Sequence, residues 1–179
     1  MTVFISGGAK SGKSRYAQRV AAALADGGRL FYLAAMVPQD AEDHERVRRH
    51  VADRAGMGFE TVECPRDILT AASDTAGTYL LESVTSLLQN SLFPPENGYE
   101  TDIAAAERCK DDLLHLAGAA KNVVYVSDYI YSDAERYDAV TETYRRTLAD
   151  IDRALAAVCD AVIEVSAGEI TVHRGVAPI

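Results

Sequence analysis

The stretch Gly7-Gly8-Ala9-Lys10-Ser11-Gly12-Lys13-Ser14 decides the fold. It follows the pattern G-x-x-x-x-G-K-[ST], and its surroundings supply what that pattern requires. A short β run, Thr2 to Ser6, precedes it and a helical stretch, Lys13 to Ala25, follows it. Small residues let a loop wrap a phosphate with its backbone N–H groups. The next helix points its positive end at the same anion. In such a loop Lys13 reaches the β- and γ-phosphates. The Ser14 hydroxyl is placed to ligate Mg²⁺, which shields the transferring phosphoryl group. Residues Gly7, Gly8, Ala9, Lys10, Ser11, Gly12, Lys13 and Ser14 are therefore the expected nucleotide-phosphate site.

Outward from this loop, short apolar runs alternate with longer helical stretches. Strands are expected at Leu30 to Ala35, Phe59 to Glu63, Tyr79 to Glu82 and Val123 to Ser127. Helices are expected at Asp40 to Arg54, from Pro65, at Thr85 to Phe93, Asp102 to Ala119 and Tyr137 to Val158. Val162 to Val165 and Ile170 to His173 flank Ala167-Gly168, which signals a closing hairpin. Strands separated by helices mean βαβ units. The expectation is an α/β, P-loop NTPase-like three-layer fold, with a mostly parallel sheet and a C-terminal antiparallel hairpin. Pro94 to Thr101 is the one loop rich in breakers, and no linker is visible, so residues 1–179 read as a single nucleotide-binding domain.

Composition narrows the class. Across 179 residues the net charge is −9 and no continuous basic run occurs, so nucleic acid is not an expected partner. Three cysteines, Cys64, Cys109 and Cys159, lie far apart without C-x-x-C spacing, which argues against a disulfide framework or a zinc site. No run of 18 apolar residues and no basic leader is present, so neither a membrane span nor a signal peptide is expected. The expected location is cytoplasmic.

Two further features carry chemistry. Glu82 closes the run Tyr79-Leu80-Leu81, where a strand-end acid can supply a second Mg²⁺ contact beside Ser14 or simply be solvated. Arg46, His50 and Arg54 are spaced i, i+4, i+8, which puts them along one helix face. From spacing alone this is either a solvated basic face, with Arg48 and Arg49, or a histidine nucleophile whose arginine neighbours bind the phosphate it attacks.

These residues in this order resemble the bifunctional adenosylcobinamide kinase / adenosylcobinamide-phosphate guanylyltransferase family of cobalamin biosynthesis. Gly7 to Arg15 is similar to that family's GGARSGKSR. Tyr32-Leu33-Ala34 matches its Tyr-Ile-Ala strand end. Asp40, Glu42, Arg46, Val47, His50 and Arg54 fall at the spacing of its D-x-E-M-x-x-R-I-x-x-H-x-x-x-R, with Asp43 in place of the Met. Phe59, Thr61 and Glu63 match W-x-T-x-E, and Leu80-Leu81-Glu82 with Asn90-Ser91-Leu92 match the next strand end and helix. The resemblance implies two steps. ATP or GTP phosphorylates the aminopropanol hydroxyl of adenosylcobinamide. The histidine matched by His50 then takes GMP from GTP and passes it to the new phosphate. It further implies that Ala34, Ala35 and Met36, then Val51, Ala52, Asp53 and Arg54, line the guanine nucleotide, with Glu63 and Glu82 as acidic contacts. A ring of subunits, a homotrimer, is implied as well.

The second half departs from the family. Where the family carries Asn-Glu-Val-Gly, this chain has Ser127-Asp128-Tyr129-Ile130, and Asp128 alone offers the same charge. Where its long helix carries a Gly and then Asn-Gln, this chain has Ala149 and Asp152-Arg153. The aromatics Tyr125, Tyr129, Tyr131, Tyr137 and Tyr144 gather in this half, as core or interface residues or as a platform for a flat ligand. A simple P-loop kinase of a small metabolite, or a nucleotide-binding regulator without catalysis, are the alternatives.

Overall fold

The computed structural model describes residues 1–179. The strands are β1 (Thr2–Gly7), β2 (Leu30–Ala34), β3 (Phe59–Glu63), β4 (Thr78–Glu82), β5 (Asn122–Asp128), β6 (Ala161–Ser166) and β7 (Glu169–Arg174). The helices are α1 (Lys13–Ala25), α2 (Ala41–Asp53), α3 (Ile68–Ala71), α4 (Val84–Leu92), α5 (Ile103–Ala119) and α6 (Ala139–Val158), with a 3₁₀ turn at Pro95–Asn97. One sheet runs in the order β3-β2-β4-β5-β1-β6-β7. All pairings are parallel except β6 with β7. This is the three-layer α/β arrangement read from the alternating pattern.

Side chains alternate across each strand, which splits the core in two. Val3, Ile5, Leu80, Val124 and Val126 pack with Tyr16, Ala17 and Val20 of α1 on one face. Phe4, Leu33, Tyr79, Leu81 and Tyr125 pack with Leu87, Leu113, Leu148 and Leu155 of α4, α5 and α6 on the other. The buried Asn122 amide is paired, donating to Leu24 O and Thr78 Oγ1, both at 3.0 Å.

Helix boundaries follow their caps. Asp40, Ser83 and Asp102 each accept a backbone N–H from three residues on, at 2.9, 3.2 and 2.8 Å. Two starts lie two or more residues from the sequence expectation, and the others lie within one. The segment from Pro65 is not yet helical; a single turn begins at Ile68, after Asp67 in a left-handed conformation whose side chain makes no cap hydrogen bond. The helix expected from Tyr137 begins at Ala139, because the Asp138 carboxylate accepts from Val140 N and Thr141 N.

The parallel strands end along one edge. Gly7 pairs with Asp128, Ala34 with Glu82 and with Glu63. The loops that leave this edge are where open α/β sheets place ligands.

Candidate functional site

The loop between β1 and α1 is shaped for an anion. Lys10 and Gly12 both take left-handed backbone, with φ of 59° and 96°, the alternation from which anion-binding backbone concavities are built. Helix α1 has no capping side chain and no acid in its first turn, which leaves its first amides for a ligand. The loop is braced from below: a Cβ on Gly7 would lie 2.5 Å from Val165 O and 2.7 Å from Ser11 Oγ. The hairpin tip braces it from the side, Gly168 N donating to Ser11 O at 2.9 Å. The Lys13 ammonium donates to Gly8 O at 3.1 Å and lies 2.5 Å from an Asp128 carboxylate oxygen.

A continuous cleft of about 1410 Å³ runs from this loop, past the ends of β5, β4 and β2, to α2. Six of the chain's 18 lysines and arginines line it: Lys10, Lys13, Arg15, Arg46, Arg49 and Arg54. Six acids, Glu42, Asp53, Glu63, Glu82, Asp128 and Asp133, line it too, so in a chain of net charge −9 the cleft is close to neutral and repels a polyanion less than the rest of the surface.

Helix α2 forms the far wall, and none of its residues is buried. It is held at its C-terminal end by Arg54. That guanidinium lies 3.9 Å from the centre of the Tyr32 ring and donates to Thr61 Oγ1 at 3.0 Å. The Tyr32 hydroxyl donates to Glu82 at 3.2 Å; burial first, and then the Glu82 charge, push this phenol far above its usual range. The other Glu82 oxygen lies 3.6 Å from Nδ1 of His50. Spacing alone surrounded His50 with cations. The fold adds a carboxylate, because β4 ends beneath the helix. Arg46, by contrast, leans on Glu42 and Asp43 of its own helix at 4.0 and 3.6 Å.

Most residues named from the sequence line this cleft: Gly8 to Ser14, Ala34, Met36, Arg46, His50, Val51, Asp53, Arg54, Glu63 and Glu82. Three do not. Gly7 lies beneath the loop, packed against Val165 O. Ala35 is fully buried, and its carbonyl is taken by the Asn90 amide at 2.8 Å. Ala52 sits exposed on α2, outside the cleft lining. Glu82 and the phosphate loop stand on strands with β5 between them, so two strand spacings, roughly 10 Å, separate their backbones.

Asp128, Tyr32 and Thr61 line the cleft without having been named as site residues from the sequence. Tyr129 is the one aromatic of the second-half group in the lining, 3.8 Å from where a Cβ on Gly8 would sit. Tyr125 and Tyr144 donate into the core, to Leu113 O and Thr85 O at 2.8 and 3.0 Å. Tyr131 donates to buried Asp152 at 2.8 Å. Cys64 is buried away from the lining, its thiol pushed up to about 11 by desolvation and by Asp67.

Residues 3–172 match the family described as cobinamide kinase / cobinamide phosphate guanyltransferase. The chain is 31% identical over 179 residues to the bifunctional adenosylcobalamin biosynthesis protein CobU of Salmonella typhimurium, a match that spans 94% of this chain and 97% of that one. Among solved structures it is similar to an ATPase domain, with a TM-score of 0.52, 11% identity and coverage of 91% of this chain and 68% of that one. It is also similar to a Pyrococcus horikoshii OT3 protein, with a TM-score of 0.50, 9% identity and coverage of 98% and 86%. At such identities the structural likeness speaks to the fold alone.

Proposed function

The chain belongs to the cobinamide kinase / cobinamide phosphate guanyltransferase family, and from that premise we propose that its one long cleft serves two successive transfers. It is a transferase of cobalamin biosynthesis. In the first transfer, ATP or GTP sits on the phosphate loop, and its γ-phosphoryl group passes to the aminopropanol hydroxyl of adenosylcobinamide. In the second, His50 attacks the α-phosphorus of GTP, pyrophosphate leaves, and a guanylyl–histidine forms. An oxygen of adenosylcobinamide phosphate then attacks that phosphorus, the P–N bond breaks, and adenosylcobinamide-GDP leaves with His50 restored. A histidine intermediate splits one difficult transfer into two in-line steps.

The observation that carries this reading is that the phosphate loop and the His50–Glu82 pair line one cleft. Glu82 lies 3.6 Å from Nδ1, which makes no hydrogen bond; a small approach of α2 to β4 would let Nδ1–H donate to that carboxylate and leave Nε2 for attack. The nucleotide lies among Gly8 to Ser14, Ala34, Met36, Val51, Asp53, Arg54 and Glu63. Arg54 and Arg46 offer their guanidinium groups to its phosphates. The two steps share little geometry. Helix α2 has no buried residue and is tethered at its C-terminal end by Arg54, an arrangement in which the rest of the helix can shift between them.

Mg²⁺ fits the donor set. The Ser14 hydroxyl and the Glu82 carboxylate line the same cleft, and Mg²⁺ is commonly held by one or two protein oxygens together with substrate phosphates and water. Ser14 and Glu82 would hold it, and when bound it neutralises charge on the transferring phosphoryl group. The whole chain acting as one domain, within a homotrimer in the cytoplasm, completes the proposal. An odd number of cysteines, scattered along the sequence without C-x-x-C spacing, supports a reducing compartment.

The test is product analysis. Incubation with GTP, Mg²⁺ and adenosylcobinamide should yield first the phosphate and then the GDP derivative, resolved by mass spectrometry. Accumulation of the phosphate alone would leave a simple kinase. Nucleotide binding without either product would leave a regulator.

A further inference from the structure

The acid closest to the phosphate loop is Asp128, and nothing in the two-step scheme yet uses it. Strand β5 lies directly beside β1, and the register places Asp128 opposite Gly7, at the root of the loop. Its backbone is held from the other side, Asp128 N donating to Thr85 Oγ1 of α4 at 3.0 Å. Its side chain stays 30% exposed and opens into the cleft, while the lysine it contacts at 2.5 Å is only 8% exposed. Glu82 does not compete for this place. It stands one strand further away, engaged by Tyr32 and facing His50.

Resting on the kinase reading above, we infer that Asp128 is the catalytic base of the phosphoryl-transfer step, kept paired with Lys13 until a nucleotide takes the lysine from it. Without a ligand, Lys13 has Asp128 and Gly8 O as its partners. A bound triphosphate offers the ammonium a denser set of anionic oxygens, and Lys13 turns to them. The carboxylate is then unpaired, beside the γ-phosphate position. The residues that follow it, Tyr129, Ile130, Ser132 and Asp133, form the adjoining cleft wall. That wall is clamped from behind by Arg145. This guanidinium is almost fully buried and donates to the carbonyls of Ile130, Asp133 and Glu135 at 3.2, 3.3 and 3.2 Å. An acceptor lying against the wall presents its hydroxyl to Asp128. The hydroxyl oxygen attacks the γ-phosphorus and the bond from γ-phosphorus to the β–γ bridging oxygen breaks. The nucleoside diphosphate departs with that electron pair, and the hydroxyl proton passes to Asp128 and then to water.

The experiment compares wild type, Asp128→Asn and Asp128→Glu in the phosphorylation of adenosylcobinamide, with binding of a fluorescent ATP analogue measured in parallel. Asparagine keeps the shape and the Thr85 contact, which is to backbone, but cannot take a proton. The kinase kcat of Asp128→Asn should fall by about 10²- to 10⁴-fold, the usual range for losing a general base. Binding of the analogue should hold or tighten, since Lys13 no longer has a competing anion. Asp128→Glu should recover part of the rate. A kcat within about threefold of wild type overturns the proposal, because losing a general base costs far more than that. So does a rate restored by raising Mg²⁺, which would make Asp128 a metal ligand, or a loss of analogue binding. A wild-type protein that phosphorylates no cobinamide defeats the kinase reading and this proposal with it. An active wild type beside an unimpaired Asp128→Asn defeats this proposal alone.

Discussion

Asp152→Asn should stabilise the protein at neutral pH, and the gain should fade in acid. Asp152 projects from α6 toward the end of β5 and is 3% exposed. One carboxylate oxygen accepts from Ser127 Oγ at 2.9 Å and Tyr131 OH at 2.8 Å; the other is buried with no partner. Desolvation outweighs those two hydrogen bonds, and Asp128 nearby adds repulsion, so the carboxyl is pushed from 3.8 up to about 7. In the unfolded chain the proton leaves near 3.8; in the folded chain it stays to about 7. Within that window the folded state binds more protons, so stability falls as pH rises, and the full cost is present above the folded value. At 1.36 kcal/mol per pH unit the window is worth about 4 kcal/mol. About 3 kcal/mol of this develops between pH 5 and pH 8. Asparagine cannot ionise. Melting of wild type and Asp152→Asn at both pH values isolates the effect, because other titrations are shared. The stability difference should grow by about 3 kcal/mol from pH 5 to pH 8, roughly 6–12 °C in Tm for a chain of this size. A difference that does not change with pH, or a variant less stable than wild type at pH 8, would refute the reasoning.

Three other substitutions probe the framework. Gly7→Ala sets a Cβ 2.5 Å from Val165 O, a backbone atom, and should cost about 1–3 kcal/mol in urea unfolding while weakening nucleotide binding. Arg145→Met leaves Asp133, Glu142 and three carbonyls without their shared donor. It should cost about 2–3 kcal/mol and speed proteolysis within residues 129–138. Arg54→Ala removes the contact that holds α2 over Tyr32 and Thr61. Amide exchange within α2 should quicken about tenfold, as expected for about 1.4 kcal/mol of local stability.

The phosphate loop was legible because its signal is local: eight contiguous residues, a strand before and a helix after. The layered sheet was legible from alternation, and the hairpin from Ala167-Gly168. What could not be read were relations that depend on strand order. Asp128 reaches Lys13 because β5 slots beside β1, and Glu82 faces His50 because β4 ends beneath α2. Neither neighbour is near its partner in sequence. The acid that ends β5 was visible as a charge in Ser127-Asp128-Tyr129, but its role beside the loop needed the register. Ala35 and Ala52 show the reverse limit. Their neighbours line the cleft, yet the turn after β2 buries one and the other lies outside the lining.

The central claim is that His50 carries the nucleotide between the two substrates. GTP radiolabelled at the α-phosphate, incubated with wild type and with His50→Ala, tests it most directly. The account predicts an acid-labile, alkali-stable label on wild type and none on His50→Ala, with nucleotide still bound by the phosphate loop of both. No label on wild type while Mg²⁺–nucleotide binds, or equal labelling of His50→Ala, would contradict it.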